Sequence, residues 1–164
     1  MKKKKILFVC LGNICRSPSA EAVFKGLLEN IGEKDRFYID SAGTDDWHKG
    51  EPADKRMQKH AVKRGYRLTS ISRPFETEDF DKFDMIIAMD FENMVELKRR
   101  ARNESDLDKL YMMTDFSRKF GYGEVPDPYF GGDDGFELVL DLLEDASAGL
   151  FDFVNGKKKT ENNQ

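Results

Sequence analysis

Four short apolar runs punctuate the chain: Ile6–Val9, Phe37–Ile39, Met85–Met89 and Leu110–Met113. Each is too short for a helix and lacks polar alternation, which predicts strands buried on both faces. The segments between them carry a helical period. Ala20, Val23, Phe24, Leu27, Leu28 and Ile31 recur at helical spacing, with Ser17 as a cap, Pro18 as first helical position and Gly32 as a stop. A weaker helix is predicted over about residues 52–64, ending at Gly65. A third begins near Asp90 and carries Met94, Val95 and Leu97. A fourth begins near Asp133, with Phe136, Val139, Leu140, Leu143, Ala146 and Leu150 on one face. The order β-α-β-α-β-α-β-α predicts an α/β fold, a four-stranded parallel twisted sheet with helices on both faces. It forms a single domain over residues 1–155, followed by a polar tail over 156–164 expected to be disordered. The stretches 40–52, 66–82 and 114–132 are predicted as long loops, a length that often carries function.

Composition narrows the function classes. A length of 164 residues fits one domain, and 13 phenylalanines can build its core. The net charge of −4 leaves no basic excess to neutralise nucleic-acid phosphates. The only cysteines, Cys10 and Cys15, do not make a secreted disulfide scaffold. Neither they nor His48 and His60 have metal-ligand spacing, so no metal and no cofactor are expected. Lys2–Lys5 before Ile6–Val9 is too short a pattern for a signal peptide, and no stretch reaches transmembrane length. The lysine run reads as a solubilising arm, and the expected setting is cytoplasmic, without membrane or nucleic-acid partners.

Candidate chemistry begins where the first strand ends. Ligands of such sheets bind beyond the carboxyl ends of the strands, which is where Cys10 stands. Gly12 is expected to permit the turn that follows. A loop entering a helix presents unpaired N–H groups and the positive end of the helix dipole, a ready anion site. The same field favours a thiolate over a thiol at Cys10. Arg16 adds a planar fork matched to two phosphate oxygens, and Asn13 or Ser17 can hold the loop's shape. A nucleophile, an anion cradle and a charge clamp thus fall within eight residues. Cys15 is compatible both with a buried structural thiol and with a redox partner for Cys10.

The run Val9-Cys-Leu-Gly-Asn-Ile-Cys-Arg-Ser-Pro18 resembles the signature loop of the low-molecular-weight protein tyrosine phosphatases. Val125-Pro-Asp-Pro-Tyr-Phe-Gly131 resembles that family's Asp-Pro loop, and Asp40-Ser-Ala-Gly-Thr44 is a third match, so the resemblance spans roughly residues 4–154. It implies that Cys10 attacks phosphorus and forms a phosphocysteine. Leu11, Gly12, Asn13, Ile14, Cys15 and Ser17 would form the phosphate-binding loop around it, with Arg16 as clamp. Asp127 would protonate the leaving oxygen and later activate water, and Ser41 would support the loop. A histidine often found after the family's second helix is replaced here by Ser70 or a neighbour. Ile14, where phosphoarginine-directed relatives tend to carry Thr, points to phosphotyrosine proteins or peptides as substrates and inorganic phosphate as product.

Read from residues alone, an Asp between Pro126 and Pro128 is ordinary turn chemistry; the Cys10 loop gives it the acid's role. Trp47, Tyr129 and Phe130 suit a wall for a flat phenyl phosphate, and each is also compatible with core or incidental surface. His48 is expected in solvent and His60 on a helix surface. Arsenate reduction on the same loop would need cysteines beyond Cys15. A non-catalytic phosphopeptide module would keep the anion cradle but lose the nucleophile or the acid, and Cys10, Arg16 and Asp127 are all present.

Overall fold

A computed structural model describes residues 2–156. Strands β1 (Lys4–Cys10), β2 (Phe37–Gly43), β3 (Met85–Ala88) and β4 (Leu110–Met112) form one parallel sheet in the order β2-β1-β3-β4. The connections carry α1 (Arg16–Asn30), α2 (Lys55–Val62), α3 (Asp79–Lys82), α4 (Phe91–Arg100) and α5 (Glu104–Leu107), and α6 (Asp133–Val154) follows β4. Single 3₁₀ turns lie at Lys34–Arg36 and Met113–Phe116. No helix among the described residues is long and apolar enough to cross a membrane.

The uninterrupted apolar run of β1 serves two cores at once. Successive strand side chains point to opposite faces. Ile6, Phe8 and Cys10 enter one core with Phe24 of α1 and Phe136, Val139 and Leu140 of α6. Leu7 and Val9 enter the other with Phe80 of α3 and Leu97 of α4. Phe8 meets Phe24 edge-on at 6.0 Å; burying one such ring contributes about 1.5–3 kcal/mol. All six apolar positions expected on the core face of α6 are buried.

Several boundaries differ from expectation for physical reasons. β2 continues through Asp40–Gly43 because its backbone pairs with β1 as far as Cys10 beside Gly43. Lys4 and Lys5, expected in a basic arm, belong to β1, and Lys5 N–H donates to Asp84. The second helix begins at Lys55, where Asp54 accepts from the amides of Arg56 and Met57. Ile31 and Val95 are exposed, past the C-terminus of α1 and on the outer face of α4. His60 is not on the surface: it is buried, stacked flat on Phe136 of α6 at 5.3 Å and hydrogen-bonded to Glu137 and Asp133. Beyond Gly156, the expected polar tail lies outside the described residues.

Candidate active site

β1 is flanked by β2 and β3, so the chain passes to opposite sides of it at its carboxyl end. This is the switch point at which open α/β sheets bind ligands. Residues 10–17 curl around the Cys10 sulfur there. Sγ accepts from the amides of Asn13 (3.3 Å) and Ser17 (3.4 Å), and it lies 3.1 Å from Ser17 Oγ.

The loop's carbonyls are tied outward. Cys10 O accepts from Thr44 N–H, Leu11 O from Asp45 N–H and Gly12 O from the Ser72 hydroxyl. Ile14 O accepts from Asp54 N–H, and Cys15 O from Ser19. In a planar trans peptide the C=O and N–H point in opposite directions. Anchoring these carbonyls outside therefore turns the following N–H groups inward, and an anion above Sγ would meet a ring of donors.

Local backbone explains the curl, with two changes from expectation. The left-handed residue is Asn13 (φ 57°), not Gly12, and Asn tolerates that region well. Its side chain holds the turn by donating to Ser17 Oγ at 2.7 Å and accepting from Arg73 N–H at 3.0 Å. Gly12 instead leaves room for His48, whose Cδ2 would lie 2.9 Å from an added Cβ. Ser17 is not the helix cap either. The N-cap is Cys15, so Ser17 lies within the first turn with its hydroxyl free for Cys10. Pro18, also in that turn, lacks an N–H that would have had no helical partner there. Gly43 lets β2 approach closely, since a Cβ there would stand 2.7 Å from Leu11 O.

Arg16 is 2% exposed and enters the pocket from the first turn of α1. Its Nη1 donates to Asp90 Oδ2 at 2.7 Å and to Val125 O at 3.0 Å, and Nη2 lies 3.6 Å from Asp127 Oδ2. Burial alone would lower its pKa, but Cys10, Asp90 and Asp127 hold it above the ordinary guanidinium value. Asp127 is partly exposed, and its Oδ1 accepts from Tyr129 N–H at 3.0 Å. Cys10, Arg16 and Asp127 line one pocket of about 240 Å³, with Leu11, Gly12, Ile14 and Cys15 in its wall.

A family model described as "Low molecular weight phosphotyrosine protein phosphatase" matches residues 5–161. The chain belongs to this family. A low molecular weight protein-tyrosine-phosphatase of Streptomyces coelicolor is 42% identical over 148 residues, covering 89% of this chain and 90% of its own length. The crystal structure of an Entamoeba histolytica protein tyrosine phosphatase with Hepes in the active site superposes with a TM-score of 0.91. It is 47% identical, covering 93% of this chain and 97% of its own. A Drosophila arginine phosphatase superposes with a TM-score of 0.85 at 30% identity, covering 96% and 100%.

The pocket mouth of this phosphatase is aromatic. Trp47, His48, Tyr129 and Phe130 all line it. Neighbouring rings lie 4.9–6.5 Å apart along that sequence. Trp47 and Phe130 are 82% and 94% exposed, so neither belongs to the core. His48, expected in solvent, is partly covered and hydrogen-bonded to Glu51. Ser41 donates to Glu21 of α1 at 2.7 Å and is described in no hydrogen bond to the loop. The neighbour of Ser70 that reaches the loop is Ser72; the Ser70 hydroxyl is buried without a hydrogen bond among the described residues. Cys15 is buried and free; burial, then Asp54, Cys10 and Asp127, pushes its thiol well above the ordinary value, so it keeps its proton at neutral pH.

Asp90, Val125 and Asp54 are site residues that no sequence pattern marks as such. Asp90 was visible only as a helix start, 74 positions from Arg16. Val125 stood at the edge of the Asp-Pro motif but acts through its carbonyl, which a side-chain pattern does not reveal.

Proposed function

We propose that this phosphatase cleaves phosphotyrosine in proteins through a phosphocysteine, with Cys10 as nucleophile, Arg16 as phosphate clamp and Asp127 as general acid and base. The observation that carries this reading is the meeting of Cys10 Sγ, the buried Arg16 guanidinium and the Asp127 carboxyl in one pocket. The Cys10 thiolate attacks phosphorus while the bond to the phenolic oxygen breaks. That oxygen keeps the electron pair and takes a proton from Asp127. Arg16 and the inward amides stabilise the equatorial oxygens, a contribution of position and charge. A water then attacks the phosphocysteine, Asp127 takes its proton, the P–S bond breaks and inorganic phosphate leaves. The rings at the mouth suit a planar phenyl group. Because an arginine phosphatase shares the fold, the choice between tyrosine and arginine phosphate rests on loop side chains, and Ile14 supports tyrosine.

The test is a substrate panel of p-nitrophenyl phosphate and peptides bearing phosphotyrosine, phosphoserine or phosphoarginine. The wild type is expected to turn over phosphotyrosine fastest. Cys10→Ser is expected to lose hydrolysis of every substrate while still binding inorganic phosphate. Undiminished turnover by Cys10→Ser would overturn the mechanism, and faster cleavage of phosphoarginine would overturn the substrate.

A further inference from the structure

The loop bearing Asp127 is held on both sides of that residue. On one side, Val125 donates its N–H to Met89 O and accepts from Arg16 through its carbonyl. On the other, Arg56 Nη2 donates to Tyr129 O at 2.9 Å. The Arg56 guanidinium also lies 5.3 Å from the Tyr129 ring centre and 5.0 Å from that of Phe136. The same fork binds Asp54 through Nε (3.2 Å) and Nη2 (2.9 Å). Asp54 in turn donates its N–H to Ile14 O at 2.8 Å, a carbonyl of the phosphate loop. A continuous set of bonds therefore runs from the loop that holds phosphate, through Asp54 and Arg56, to Tyr129.

Tyr129 hands this restraint to the acid, because its N–H is the donor to Asp127 Oδ1. We propose that Arg56 is a positioning residue for Asp127, fixing the acid loop against the phosphate loop so that the carboxyl reaches the leaving oxygen. This rests on the assignment of Asp127 as general acid. Arg56 lies outside the pocket lining, so its role is to position the acid rather than to contact the phosphate. A planar, bidentate, ring-stacking group is what the contacts use, and lysine does not supply it.

A positioning role should show in the dependence of rate on the leaving group. Good leaving groups depart without a proton, whereas poor ones need Asp127. Arg56→Met keeps an apolar stem beside the rings and removes the fork. It is expected to lower kcat/KM for phenyl phosphate about tenfold and that for p-nitrophenyl phosphate less than about twofold, a part of the ~10²–10⁴ that a general acid supplies. Inhibition by inorganic phosphate should not change. Arg56→Lys, which retains the charge, is expected to share the defect. In an Asp127→Asn background, Arg56→Met should add no further leaving-group bias, because the residue acts through that acid. Equal loss on both esters, full rescue by lysine, or additive bias in the double variant would each overturn the proposal. If Asp127→Asn alone shows no bias between the esters, the acid assignment fails and this inference falls with it. If Asp127→Asn shows the bias and Arg56→Met does not, only the inference falls.

Discussion

A buried guanidinium is tolerable only where its charge and its donors are met. Arg16 has Asp90, Val125 O, Asp127 and the Cys10 sulfur around it. Of these, Asp90 does two jobs with two oxygens: Oδ2 accepts from Arg16, and Oδ1 accepts from Asn93 N–H to cap α4. The two roles can be separated. Asn is as good a cap as Asp, so Asp90→Asn should keep α4 and place a neutral amide against Arg16. The clamp then loses the partner that aims it. The expected result is a fall of about 10–100-fold in kcat/KM for p-nitrophenyl phosphate and weaker inhibition by inorganic phosphate, with Tm within about 3 °C of wild type. A large fall in Tm with unchanged kinetics of the folded enzyme would make Asp90 a cap alone. At this scale the sequence was legible where function sits in one contiguous run. Cys10, Asn13, Arg16 and Ser17 are seven positions apart at most, and their juxtaposition needs only a strand, a turn and a helix. Asp90 and Arg56 meet the site across 74 and 73 positions. No local pattern marks either, since one resembles any helix cap and the other any surface arginine.

Each strand was recognisable from its apolar run, and the observed ends differ by what the backbone does. Asp40–Gly43 is polar or small, so no hydrophobic signal shows that it extends β2; only its pairing with β1 does. The short helices α3 and α5 went unread because four residues hold too little periodicity. The start of α1 shows the reverse conflict. Ser before Pro is a strong cap signal, but the loop enters the helix two residues earlier and frees that serine for the sulfur. In α2, the element that joins the phosphate loop to the acid loop, Asp54 is the structural pivot. Its carboxyl accepts the Arg56 and Met57 amides and pairs with the Arg56 fork. Burial alone would raise its pKa; these donors more than offset that and hold it below the ordinary 3.8. A depressed folded-state value gives stability that is present above the unfolded value and lost as pH falls through the folded one. Asp54→Ala should therefore cost about 1–2 kcal/mol near neutral pH. The gap to wild type should close progressively below about pH 4. Denaturant titrations at a series of pH values check this; a gap that is constant down to pH 2 would show that the carboxylate's charge is not what stabilises α2.

For the whole molecule, the element order already implied a parallel sheet between helices, but not which strands are neighbours. The order β2-β1-β3-β4 is decided by non-local packing, and it places the Cys10 loop at the switch point rather than at an edge. The face opposite α3 and α4 is closed by α6, which lies beside α1 and over the 3₁₀ turn after β4. That closure depends on a glycine in the middle of a helix. Gly149 is within α6, where a glycine costs about 1 kcal/mol relative to alanine by propensity alone. Yet a Cβ at 149 would fall well inside contact distance of the Phe116 carbonyl, whose carbon would lie only 2.9 Å away. The obstacle is backbone, not a side chain that can swing aside. The steric term should therefore outweigh the propensity gain, and Gly149→Ala is expected to destabilise by about 3 kcal/mol and lower Tm by roughly 5–10 °C. Phe116 and Gly149 are absent from the pocket lining, so kcat/KM measured well below the transition should stay within about twofold of wild type. A rise in Tm would mean that helix propensity dominates and that the turn at Met113–Phe116 yields to the added methyl. A loss of activity without a loss of stability would mean that closure of this face is coupled to the pocket.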